Sequence, residues 1–175
     1  MINKKQKKEM GIVVYNAIDL IDKCIDIENN KRKIFERFID DRDSSVKLKI
    51  IAKVFLKNGD RIINYYNQLK NRVKNSELEE IDFRTYDKIS FLINEYNLRI
   101  RSMNLDKISV REYLEILLEL AKDKYSLFVD IQGRLYNNTT NNQGKTYELL
   151  SKIIEYTEYQ VKIIEKTITK NEYHF

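Results

Sequence analysis

Not one proline occurs in these 175 residues, and only four glycines do. Strand-rich folds need turn residues at short intervals, whereas long helices need few. The apolar residues agree. Along almost the whole chain they recur at three- and four-residue spacing, the period of a helix with one buried face. The chain is therefore read as all-α, an antiparallel bundle of about five long helices in a single domain spanning residues 1–175. A chain of this length can bury roughly 70% of its unfolded surface, so no disulfide or metal staple is required.

The first apolar run is Val14, Ala17, Ile18, Ile21, Cys24 and Ile25, then Phe35, Phe38 and Ile39. Residues 40–45 (Asp-Asp-Arg-Asp-Ser-Ser) break it and supply N-cap side chains for the next helix. The second run is Ile51, Val54, Phe55, Ile62, Tyr65, Tyr66, Leu69 and Val73, with Gly59 inside it. A polar connector at 75–82 precedes a third helix carrying Tyr86, Ile89, Ile93, Tyr96, Ile100 and Met103 on one face. Ser109-Val-Arg-Glu112 has the form of a capping box for the fourth helix, whose stripe runs from Val110 to Leu135. Residues 137–144 read as a loop, and Leu150, Ile153, Ile154, Val161, Ile164 and Ile168 mark the fifth helix.

Absences restrict the chemistry. His174 is the only histidine and lies next to the last residue, so no Ser/His/Asp or Cys/His constellation and no Cys/His zinc site can be assembled around it. Cys24 is the only cysteine and falls on an apolar stripe, where a thiol packs as a small hydrophobe. Phosphate loops, dinucleotide fingerprints and H-E-x-x-H are missing. The chain is expected to be a non-enzyme without a cofactor. No stretch reaches the ~18 apolar residues of a membrane span, and the basic opening of residues 1–10 is not followed by a signal-peptide core, so a cytoplasmic location is expected. The Asn137 and Asn138 sequons carry no meaning there. Little Pro, Gly and Trp beside abundant Lys, Asn, Ile and Tyr reads as AT-biased coding, which points to a low-GC bacterium, phage or virus.

Two helix pairs, about 14–40 with 45–74 and 109–136 with 146–170, resemble the layout of ferritin-like bundles. Those bundles build di-iron sites from core carboxylates and Glu-x-x-His pairs. Here the polar residues projected onto the apolar stripes are Glu28, Arg32, Asn58, Lys124 and Thr157. Only Glu28 among them is a possible ligand. The layout is thus expected without metal ligands, and Glu28 is expected to pair with Arg32 along its helix or with Lys124 across the bundle, or else to snorkel at a stripe edge.

Charge is unevenly spread. The chain carries net +5, residues 1–10 net +3 and residues 45–74 net +7, which leaves the remainder slightly acidic. Lys49, Lys53 and Lys57 follow at i+4 opposite the apolar stripe and form an outward ridge, with Arg61 on its flank. The favoured reading is an interaction protein that meets a partner protein through this ridge. The alternative is a grip on nucleic-acid backbone by charge alone, since no aromatic interleaves the ridge for base stacking. A third reading is a carboxylate-only metal protein. The plain reading is a solvated face, or one neutralised by Glu112, Glu115, Glu119 and Asp123. Oligomeric state stays open.

Overall fold

The helices begin where side chains can satisfy their free amides. In a computed structural model that describes residues 14–74, 78–103, 105, 107–137 and 144–172, five helices are present among those residues. They are α1 (Ala17–Asp40), α2 (Val46–Val73), α3 (Phe83–Ser102), α4 (Val110–Asn137) and α5 (Lys145–Glu172). Asn16 opens α1 with a reciprocal capping box. Its side chain accepts the Ile18 amide at 2.8 Å, and Asp19 accepts the Asn16 amide at 2.8 Å. Ser45 accepts the Leu48 amide at 3.2 Å to start α2, after Asp41 has gathered Ser44 and the Asp43 amide into the turn. The capping box expected at Ser109 and Glu112 is formed, with bonds of 3.2 and 2.7 Å.

The start of α5 is capped from elsewhere in the chain. Glu79, in the α2–α3 connector, accepts the amides of Lys145 and Thr146 at 2.9 and 3.0 Å and the Thr146 hydroxyl at 2.7 Å. Burial opposes ionisation of Glu79, yet these bonds hold its carboxyl below the usual carboxylate range. A Cβ at Gly144 would stand 2.9 Å from a Glu79 carboxylate oxygen, so a larger residue there makes the Glu79 side chain shift.

Paired contacts fix the directions. Asp22 with Lys70, Arg32 with Asp60 and Phe35 with Phe55 make α1 and α2 antiparallel. Gln132 with Ser151 and Lys122 with Glu165 do the same for α4 and α5. Phe38 packs edge-on against Tyr113, and Tyr65 stacks on Tyr156 at 4.6 Å, so α1 faces α4 and α2 faces α5. The result is a four-helix core of two hairpins. Every neighbouring pair is antiparallel, and one long crossover joins the hairpins.

The crossover contains α3, which lies outside the four-helix core against α1 and α4. Its first turns pack beside Tyr15, whose ring stacks on Tyr86 at 3.6 Å and whose carbonyl accepts the Ile81 amide. Further along, the Tyr96 hydroxyl donates to the Leu120 carbonyl at 2.7 Å. Ile89, Ile93 and Ile100 bury on this side, as the sequence pattern required.

One expectation about packing is corrected, and one set of alternatives is narrowed. Val54 is not core; it points outward and is 62% exposed. On α2 the buried direction runs through Leu48, Ala52, Gly59, Ile62, Tyr66 and Leu69, and Val54 lies more than a right angle away from its centre. Glu28 does not pair with Arg32 and does not snorkel. Arg32 instead reaches outward to Glu36 and Asp60.

Candidate functional site

Two regions concentrate charge: the centre of the four-helix core and the outer face of α2. At the centre, Lys124 of α4 is 0% exposed and its ammonium lies 2.6 Å from a carboxylate oxygen of Glu28, itself 2% exposed. The α5 residue Gln160 accepts a second bond from Lys124 at 3.0 Å, and Lys31 reaches the other Glu28 oxygen at 3.4 Å. Thr157, buried beside them, donates its hydroxyl to the Ile153 carbonyl. Each charge is thereby paired and hydrogen-bonded, which is the condition for keeping it in a low-dielectric interior.

The pairing across the bundle is the one expected of Glu28 and Lys124. Burial opposes ionisation of Glu28, but Lys124 and Lys31 hold the carboxyl below its ordinary range. Burial lowers the Lys31 ammonium to about 8, against the pull of Glu28. Nearby, burial pushes the Cys24 thiol up to about 12, so the thiol stays protonated and unreactive at neutral pH. Tyr66, from α2, has a buried hydroxyl with no hydrogen bond among the described residues. Among those residues no group of three or more His, Cys, Asp or Glu is arranged to hold a metal ion.

On the outside of α2, Lys53, Lys57 and Arg61 are exposed and Lys49 is half-buried. The structure brings all four onto one outward face, as the spacing required, and none makes an ion pair with a described residue. The acidic residues of α4 do not neutralise them. Glu119 and Asp123 are held by Arg99 of α3, Glu115 by Arg111, and Glu112 caps its own helix.

An apolar component of this face escaped the sequence reading. Val46, Ile50 and Val54 stand exposed at i, i+4 and i+8 between the cations, Ile50 at 57% and Val54 at 62%. The signal was present as a second apolar stripe on α2, offset from the stripe that contains Ile62 and Leu69. Of its three residues only Val54 belongs to the apolar run read from the sequence; Val46 and Ile50 belong to none. At the end of the ridge the α5 residue Tyr156 lies near Arg61, but its ring face is already stacked on Tyr65.

His174, the basic residues 1–10 and the sequon threonines lie outside the described residues. Among the described residues no helix is long and apolar enough to cross a membrane. No family model, no curated protein and no solved structure matches the chain.

Proposed function

We propose that the chain is a non-enzymatic helical-bundle interaction protein that docks an acidic partner protein on the outward face of α2. The supporting observation is the interleaving of Val46, Ile50 and Val54 with cations that make no ion pair with a described residue. Exposed β-branched side chains add apolar area that releases water on contact, at roughly 25 cal/mol per Å² before the cost of association. Lys49, Lys53, Lys57 and Arg61 then supply register and association rate. A purely electrostatic grip on nucleic-acid backbone has no use for the apolar stripe, which favours the protein partner.

The test is capture by wild type, by Lys49→Glu/Lys53→Glu/Lys57→Glu, and by Ile50→Ser/Val54→Ser, each at low and moderate salt. The proposal expects a defined acidic protein to be lost by both variants while their helical spectra stay unchanged. Capture of nucleic acid that is lost only by the charge variant, and falls steeply with salt, would replace the protein partner with a polyanion. Capture unaffected by either variant would reduce the face to ordinary solvated surface.

A further inference from the structure

The seam between α1 and α3 carries a second feature, independent of the α2 face. Asp26, Asn30 and Lys33 of α1 and Asn94, Asn97 and Arg101 of α3 line an open polar groove of about 670 Å³. The two helices run parallel here, as Asn30 opposite Asn97 and Tyr15 beside Tyr86 both require. Their i, i+3, i+4 and i+7 positions therefore face one another along two turns.

The middle of the groove is built rather than merely polar. Asn30 and Asn97 are both more than nine-tenths buried. Arg101 donates to Asn30 Oδ1 at 3.3 Å, which turns the Asn30 amide nitrogen towards Asn97 Oδ1, 2.9 Å away. This fixes the orientation of both carboxamides. Asn97 is left with its NH₂ group facing the groove and bonded to no described residue. A buried side chain held with free donors towards an open space is suited to an amide or carboxylate acceptor.

The ends of the groove differ in charge. Lys33 and Arg101 stand at one end and Asp26 at the other, and none of the three makes an ion pair with a described residue. Asp26 and Lys33 are seven residues apart on α1, or ~10.5 Å along the axis. Three residues of extended chain span about the same distance. A carboxylate suits the Arg101 end, an ammonium suits Asp26, and carboxamides pair with peptide units by donating and accepting at once. A sugar would need a ring platform for its C–H faces, and the groove wall offers only the aliphatic Leu98.

We infer that the α1–α3 groove is a binding site for a short extended peptide with free termini, its carboxylate at Arg101 and Lys33 and its ammonium at Asp26. The probe is zwitterionic trialanine, added to the full ¹⁵N-labelled chain and followed through the asparagine side-chain amide signals. Saturable shifts at Asn30, Asn94 and Asn97 are expected. They should weaken about tenfold, the worth of one charged hydrogen bond, for Arg101→Gln, and about a hundredfold for N-acetylated, C-amidated trialanine, which loses both charged ends. Arg101 is exposed, so its replacement leaves the fold in place, and Lys33→Gln tests the same end of the groove through a different residue. Three outcomes overturn the inference: no saturable shift by about 10 mM peptide, which marks binding weaker than any useful site; equal response to capped and uncapped peptide; or saturable shifts with maltotriose and none with trialanine.

Discussion

Lys124 on α4 and Lys53 on α2 carry the same ammonium group in opposite surroundings. Lys124 is wholly buried, held at 2.6 Å by Glu28 and at 3.0 Å by Gln160. Lys53 stands in solvent beside Ile50 and Val54, with no carboxylate within ion-pair distance among the described residues. In the interior an unmatched charge would unfold the protein, so the sequence must supply a partner on another helix. On the surface water already solvates the charge, and stability places almost no demand on what stands next to it. Charge inside the core is thus explained by folding, whereas a ridge of unmatched charge interleaved with exposed apolar side chains is not.

The sharpest break of that comparison is Lys124→Ala. It leaves Glu28 buried with only the more distant Lys31 and should cost about 3–5 kcal/mol in chemical denaturation. Glu28→Leu with Lys124→Met removes both charges and is expected to return to within about 1–2 kcal/mol of wild type. A double variant as unstable as the single would show that packing, not charge, dominates the centre.

Capping gives the next effect. Glu79→Ala strips three bonds from the start of α5 and should cost about 1–2 kcal/mol, measured as a fall in the denaturant midpoint with unchanged slope.

Titration gives a smaller one. The Lys31 pKa is lowered to about 8 in the folded chain from an ordinary 10.5. For Lys31 the unfolded state therefore binds more protons between those values, so its contribution to stability should rise with pH across that window, by about 1.5 kcal/mol between pH 8 and about 9.5. The Cys24 thiol, whose pKa is raised from 9.0 to about 12, contributes an opposing fall. Lys31→Met should abolish the rise. A Lys31→Met variant whose stability follows pH as the wild type's does over that range would mean that the site does not oppose the ammonium.

At the surface, Lys49→Ala/Lys53→Ala/Lys57→Ala should move stability by less than about 0.5 kcal/mol. A large loss would make the ridge structural and remove it from the argument for docking. Gly59→Ala sits between the two regions. Gly59 is buried in the middle of α2, but a Cβ there meets nothing within 4 Å. Alanine should therefore stabilise by about 0.5–1 kcal/mol, seen as a higher midpoint.

Much of this is legible in the sequence. Helical period set the five elements, and the Ser109–Glu112 box and the Ser45 cap were readable because their partners lie within four residues. Glu28 and Lys124 could be matched because each is a charge in the middle of an apolar stripe, and a buried charge admits few solutions. Val54 was misplaced because two stripes of the same period share α2, and periodicity alone does not say which of them meets the core.

Other features depend on which helices are neighbours. Glu79 caps a helix that begins 66 residues later, and no local pattern announces it. The Asn30–Asn97 pair exists only because α3 returns parallel to α1, in a register set by the packing of Tyr15, Tyr86 and the buried isoleucines. The sequence by itself determined the helices, their apolar stripes and the placing of Lys49, Lys53, Lys57 and Arg61 opposite the stripe of Ile62 and Leu69, because those follow from the geometry of one chain turning at 100° per residue. Tertiary structure decided which of those faces stayed uncovered and which polar side chains met. Those outcomes depend on contacts between segments distant in the chain, whose free energies no single helix contains.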